Sequence, residues 1–187
     1  RPVCLAKFVH PLDPDRWPEE LTRRREARIL KLLKPGGPLL RRQIVIAGTS
    51  AGAMALSTPM IYAGNNEAQQ ISGEIKITTG LEFLKDVCVD THFTDRNRFV
   101  RMSQVIVTNP TCIGVGISED TAMIVRNGRE MEVAGSGIVI VIEGFEVTDS
   151  NVLDFSEKVP FAAQNLKVHM LTRGDKYQIP QNNPPHI

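Results

Sequence analysis

Ile44-Val45-Ile46-Ala47-Gly48-Thr49-Ser50-Ala51-Gly52-Ala53-Met54-Ala55-Leu56 is the stretch on which the fold turns. Ile44 to Ala47 is a short continuous apolar run, of the kind buried on both faces of a parallel sheet. Small residues follow, and then Ala53, Met54, Ala55 and Leu56, which suit a helix. Strand, tight turn and helix in that order form the repeating unit of an α/β domain. Pro59 stops or kinks the helix.

The turn itself, Gly48-Thr49-Ser50-Ala51-Gly52, fits the pattern G-x-S-x-G. A serine between a strand end and a helix start sits in a strained turn, and bulky neighbours would clash there. Glycines two before and two after let the backbone close up. The hydroxyl then projects above the carboxyl end of the sheet. Free N–H groups of the helix start point to the same place, and Ala51 N–H is the natural oxyanion donor. Three readings fit these residues: a nucleophile, an anion-binding turn, or a plain turn. No G-K-[ST] follows, which argues against a nucleotide P-loop.

Outward from this turn the chain changes texture. Residues 1–20 are interrupted by Pro2, Pro11, Pro14 and Pro18, residues 19–34 have a helical pattern, and Pro35-Gly36-Gly37-Pro38 ends it. Downstream, residues 81–85 suit a short helix or turn, residues 87–89 a strand, and residues 96–107 a helix. Strands are expected over residues 113–117, 122–126, 131–134, 138–143 and 166–171. Asn127-Gly128 is a hairpin signal. Strands of parallel type early and hairpins late imply a three-layer α/β sandwich with a mainly parallel sheet and antiparallel hairpins toward the C-terminus.

Composition narrows the function classes. The chain has 187 residues, enough to bury a core without disulfides or metals. It carries 22 Lys+Arg against 21 Asp+Glu, and this balance argues against a general nucleic-acid or membrane-surface role. No apolar run approaches the roughly 18 residues of a membrane span. Cys4, Cys88 and Cys112 match no zinc spacing, and Cys88 and Cys112 suit buried thiols. No metal and no cofactor are expected. Cysteine usage is compatible with a reducing compartment and does not exclude export, so cytoplasmic and exported locations both stand.

A nucleophilic serine needs a base. His10 lies in the Pro-rich start and His186 in the Pro-rich tail. His169 lies in an apolar strand, which favours a satisfied core histidine. His92 follows a strand end beside Asp90, where α/β enzymes place functional groups. A third group would orient the imidazole, and Glu67, Glu74 and Asp90 are nearest in sequence. Arg98 and Arg101 share one helical face. They read either as a solvated helix start or as a clamp for a carboxylate, which a guanidinium fork matches.

Four blocks together resemble the cyanophycinase family of serine peptidases, which are similar to dipeptidase E and share the class I glutamine-amidotransferase-like fold. The blocks are residues 46–53, residues 80–84, Asp90-Thr91-His92-Phe93 with Arg96, Arg98 and Arg101, and residues 114–122. They occur in family order between about Ile44 and Asp175. The resemblance implies hydrolysis of cyanophycin, a polyaspartate carrying arginine on each side-chain carboxyl, to β-Asp-Arg dipeptides. It implies Ser50 as nucleophile, His92 as base and Glu67 as third member. Asp90 would line the site, and Arg96, Arg98 and Arg101 would meet substrate carboxylates. It also implies an acidic or Asp-Arg peptide as partner, and a homodimer, since relatives commonly dimerise.

In the family motif a Gln separates the Asp and His, where this chain has Thr91. The family's Gly-Gly-Asp-Gln-type segment, which supplies an oxyanion donor, has no counterpart: Gly36-Gly37 is followed by Pro38-Leu39. The expectation is a single α/β domain over residues 1–187 that lacks parts of the family's N-terminal segment. Two alternatives remain at this level: a dipeptidase E-like enzyme cleaving Asp-X dipeptides, and a non-catalytic binding protein on the same scaffold.

Overall fold

Ile113-Gly114-Val115-Gly116-Ile117 alternates large side chains with none, and the two sets face opposite ways. In the computed structural model, which describes residues 3–6, 46–64, 70–154 and 159–180, this segment is the second of two adjacent parallel strands at the centre of a sheet. The elements run in chain order as β1 (Val3–Ala6), α1 (Ala51–Met54), β2 (Ser57–Thr58), β3 (Met60–Ala63), β4 (Lys76–Thr78), β5 (Leu84–Lys85) and β6 (Val87–Thr91). Then come α2 (Phe99–Thr108), β7 (Ile113–Ile117), β8 (Thr121–Arg126), β9 (Glu130–Gly135) and β10 (Val139–Glu143). The last are β11 (Asp149–Ser150), β12 (Ala163–Gln164), β13 (Lys167–Leu171) and β14 (Lys176–Gln178).

A six-stranded sheet has the order β13-β10-β7-β6-β2-β5. β6 and β7 are parallel, with Thr91 opposite Ile117, and β2 and β5 are also parallel. β10 is antiparallel to β7 and to β13, and β2 meets β6 antiparallel at Thr58 and Val87. The sheet is therefore mixed, with its antiparallel strands β10 and β13 added from the C-terminal part of the chain. A second, antiparallel sheet has the order β1-β8-β9-β14. The β8–β9 turn carries Asn127 at φ 54° and Gly128 at φ 74°, the two positive values that a tight hairpin turn demands.

β6, β7 and β10 are buried along their whole length, so each strand contributes to two cores. Val87, Val89, Val115, Ile117, Val139 and Val141 pack against Met123, Val125, Met131 and Val133 of the second sheet. The alternate set packs with helix α2: Cys88, Ile140 and Ile142 join Met102, Val105 and Ile106. Gly114 and Gly116 belong to this second set. A Cβ on Gly114 would lie 2.6 Å from Met102 Cγ, and one on Gly116 would lie 2.3 Å from the Phe93 ring. Those glycines let the helix and Phe93 seat directly on the strand. Each large apolar side chain so buried contributes about 1.5–3 kcal/mol.

The sequence boundaries shift where tertiary contacts intervene. The helix after Ser50 is one turn long. Ala55 and Leu56 offer their carbonyls instead to Leu81 and Leu84 N–H, and Ser57 Oγ donates to Met54 O. Residues 81–85 form no helix: they run past α1 as an extended segment ending in β5. Helix α2 starts at Phe99 rather than residue 96, because Asn97 has φ 50° and breaks the helical path. The expected helix over residues 19–34 lies outside the described residues. Of residues 44–47, Ile46 makes a single β-bridge and Ala47 lies in no helix or strand, while 44 and 45 lie outside the described residues. Among the described residues no helix is long and apolar enough to cross a membrane.

Candidate active site

The parallel register of β6 and β7 brings the loops that follow them together. His92 leaves β6 where Ser118 and Glu119 leave β7. Phe93 N–H donates to Ile117 O, and Thr94 Oγ1 donates to Ser118 Oγ at 3.0 Å. The two loops are thus tied on both backbone and side chain. Thr121 Oγ1 accepts from Gly137 N–H and donates to Glu119 O at 2.8 Å, holding the Glu119 backbone from the other side.

Ser50 reaches this place from the adjacent segment, whose Ser57 Oγ accepts Val89 N–H of β6. Ser50 has φ 49° and ψ −124°, a conformation a non-glycine residue adopts only when its surroundings impose it. Close packing of the turn explains Gly48: a Cβ there would lie 2.4 Å from Gly52 O. Gly52 is different, since a Cβ there would meet nothing within 4 Å. The expectation that both glycines are needed for space therefore holds for Gly48 alone.

Ser50 Oγ lies 3.1 Å from His92 Nε2, and His92 Nδ1 lies 2.5 Å from Glu119 Oε1. His92 itself has φ 53°. An ionised carboxylate accepts only, so Nδ1 carries the proton and Nε2 is left to accept from the serine hydroxyl. His92 and Glu119 are partly open, with 22% and 31% of their side-chain surfaces exposed, so the group is reachable from solvent. Ala51 is exposed, and among the described residues its N–H meets no acceptor.

Glu119 was not among the sequence candidates, although it lies inside one of the four blocks. Its signal is a carboxylate directly after a strand end, legible only once β7 is known to lie beside β6. Glu67 lies outside the described residues. The carboxylate on the His92 Nδ1 is that of Glu119, not one of the three nearest in sequence. Among the described residues no group of three or more His, Cys, Asp or Glu is placed to hold a metal ion.

Asp90, Arg98 and Arg101 are arranged differently from a ligand clamp. Asp90 is fully buried on the helix-facing side of β6. Arg101 meets it with two hydrogen bonds, Nε to Oδ2 and Nη2 to Oδ1, both 2.6 Å. Arg98 Nη1 donates to Asp90 Oδ1 at 2.9 Å and to Thr91 O at 2.8 Å. Arg98 and Arg101 are themselves buried, so neither a solvated helix start nor an outward-facing carboxylate clamp describes them. Burial lowers the Arg98 pKa from its ordinary value, with the Asp90 charge opposing that. Arg96 alone of the three arginines is exposed, on the turn whose N–H donates to His92 O.

Several known proteins are similar to this chain in sequence. Cyanophycinase from Trichormus variabilis is 32% identical over 139 residues, covering 74% of this chain and 47% of that protein. Cyanophycinase from Synechococcus elongatus is 34% identical over 152 residues, covering 79% and 47%. The chain thus spans about half the length of the curated relatives it matches. A crystal structure of a peptidase from an acI-B1 Actinobacterium aligns with a TM-score of 0.45 and 24% identity over 72% of this chain and 46% of that one. The family model described as Peptidase family S51 matches residues 26–133, a span that holds Ser50, His92 and Glu119. That span is more than half of the 187 residues, and the chain accordingly belongs to peptidase family S51.

Proposed function

We propose that this chain carries the catalytic machinery of a serine peptidase that hydrolyses cyanophycin to β-Asp-Arg dipeptides through an acyl-enzyme. The observation that carries the reading is the unbroken path from Ser50 Oγ through His92 to Glu119. The names of the relatives supply the substrate. In this reading Gly48 to Met54 is a nucleophile elbow on a sandwich-type α/β scaffold, and the third member is Glu119 rather than Glu67.

His92 Nε2 takes the Ser50 proton as the serine oxygen attacks the backbone peptide carbonyl between successive aspartates, so that the side-chain link to arginine stays intact in the product. Ala51 N–H donates to the oxygen that becomes negative. The imidazolium formed at His92 is stabilised by Glu119, which does not itself take the proton. His92 returns the proton to the leaving amine, and water then attacks the ester with His92 again as base. Arg96, the exposed cation four residues past His92, is placed to meet a substrate carboxylate.

The test is incubation with insoluble cyanophycin and mass spectrometry of the soluble products, with Ser50→Ala alongside. β-Asp-Arg from the unaltered protein only is the expected result. The same products from Ser50→Ala would overturn the serine mechanism. Release of Asp from Asp-X dipeptides, with none from the polymer, would move the substrate to the dipeptidase side.

A further inference from the structure

Two connections cross from one sheet to the other side by side. Residues 118–120 lead from β7 of the six-stranded sheet to β8 of the second, and residues 136–138 lead from β9 back to β10. Pairing flanks the crossing on both sides: Ile117 lies opposite Val139 before it, and Thr121 lies opposite Gly135 after it. Between those pairs Ser118 N–H donates to Ile138 O at 3.1 Å, and Ser136 N–H donates to Asp120 O at 2.9 Å. Ser136 Oγ donates to Asp120 Oδ2 at 2.6 Å. Glu119 sits in the middle of this ladder, and its side chain is 31% exposed. Packing therefore does little to hold the carboxylate, and its reach to His92 depends on where the backbone places it.

Thr121 closes the ladder at Glu119. It is 2% exposed and shares the core-facing side of β8 with Met123 and Val125. A hydroxyl at such a position is costly unless it is bonded. Here Oγ1 donates to Glu119 O and accepts from Gly137 N–H, so it joins the two connections at the residue that meets His92. Gly137 is fitted to this contact. A Cβ there would lie 2.5 Å from Thr121 Oγ1 and 2.8 Å from Glu119 O. The buried hydroxyl and the bare glycine thus share one effect, which is to fix the Glu119 peptide.

We propose that Thr121 is a positioning residue for Glu119: its hydroxyl locks the Glu119 peptide against Gly137, which keeps the carboxylate on His92 Nδ1. The second sheet thereby takes part in the reaction at one remove, through the two connections it shares with the first. The proposal rests on the serine-peptidase reading for its kinetic readout only. Its spectroscopic readout is independent of that reading.

The test pairs Thr121→Val, which keeps the β-branched shape and removes the hydroxyl, with Thr121→Ser, which keeps the hydroxyl. Circular dichroism and thermal melting establish that each folds. On cyanophycin, kcat of Thr121→Val should fall roughly 10- to 100-fold with KM near its original value, the size of effect that a misplacement of about 1 Å produces. Thr121→Ser should keep most of kcat. In the Glu119→Gln background, Thr121→Val should bring no further loss, because residues that act as a unit are not additive. In ¹H–¹⁵N spectra the His92 Nδ1–H signal, identified by its loss in His92→Gln, should be displaced in Thr121→Val and close to the original in Thr121→Ser. Unchanged kcat with an unmoved signal would overturn the proposal. An equal loss of kcat in the Glu119→Gln background would also overturn it, since Thr121 would then act on the fold at large. If Thr121→Val fails to fold, Gly137→Ala, which crowds the same hydroxyl and the Glu119 carbonyl, decides by the same criteria. If the unaltered protein is inactive on the polymer, the signal alone decides. Displacement in Thr121→Val then sustains the positioning role while the substrate reading fails, and an unmoved signal overturns it.

Discussion

Among the described residues, two histidines bond to a glutamate, at opposite ends of the same sheet. His92 meets Glu119 beyond the C-terminal ends of β6 and β7. His169 meets Glu143 at 2.9 Å, and Glu143 pairs with Ile113 at the start of β7. Around Glu143 the company is structural. Lys167 is directly opposite it on β13, at 3.2 Å, and Tyr177 of the second sheet donates to it at 2.6 Å. The His169 and Tyr177 rings meet edge to face. That cluster fastens one sheet to the other. His169 is thus satisfied, as its strand position suggested, but half-buried rather than deep in a core.

A histidine–glutamate pair is accordingly no sign of catalysis. His92 gives the carboxylate its Nδ1 and turns Nε2 to a hydroxyl, whereas His169 gives its carboxylate Nε2. His92 and Ser50 both have positive φ, while His169 lies in a regular strand. Each such strained residue costs about 1–3 kcal/mol and persists only where the surroundings over-determine it. Asn97 and Asp120 add positive φ values near the serine end, and none falls within β13.

The largest effect that would break this contrast lies in the histidines. His92→Gln should lower cyanophycin hydrolysis by at least roughly 10³-fold, as should Ser50→Ala, with the fold intact. His169→Gln should leave kcat unchanged. A comparable loss from His169→Gln would erase the distinction. Next come the acids. Glu119→Gln should reduce kcat by about 10²- to 10⁴-fold, whereas Glu67→Gln and Glu143→Gln should not. A loss confined to Glu67→Gln would return the third position to the residue expected from the family resemblance.

Stability should respond in the opposite sense. Glu143→Gln should retain activity but lose about 1.5–3 kcal/mol in urea unfolding at neutral pH, the range for hydrogen bonds to a charged group. Burial raises the Glu143 carboxyl, but hydrogen bonds from Tyr177, Lys167 and His169 outweigh it and hold the group below its ordinary 4.5. A depressed native value means that the stabilisation is complete above about pH 4.5 and is lost as pH falls through the native value. The gap between the unaltered protein and Glu143→Gln should therefore close on acidification. A gap that widened in acid would contradict the assignment. The smallest effect concerns the thiols. Cys88 is fully buried, and burial above all, then the Asp90 charge, pushes its pKa up, so iodoacetamide should leave it unlabelled in the folded protein. Cys112, at 7% exposure, should react first as urea loosens the sheet.

Much of the local structure was legible beforehand. The strand over 113–117 is observed with the bounds expected, and residues 139–143 and 167–171 differ by one residue at their starts. Uninterrupted β-branched runs and an Asn-Gly turn signal their conformation without help from distant residues. Residues 81–85 misled because their hydrogen bonds go to Ala55 and Leu56, a partner no window of five residues contains. The arginines misled for a related reason. Their spacing identified a shared face, but not that the face looks onto a buried Asp90.

The sequence by itself determined where the chain turns and what kinds of side chain stand at those turns: a serine with Gly48 behind it, a histidine just past a strand, a hairpin at Asn127-Gly128. These follow from sterics and short-range periodicity, which act within a few residues. Only the tertiary structure decided which carboxylate faces His92 and which way Arg98 and Arg101 point. Glu119 is 27 residues from His92 and meets it because β6 and β7 run parallel in one register. Asp90 draws the arginines inward because a fully buried carboxylate must be paired, and burial is a property of the whole packed sheet.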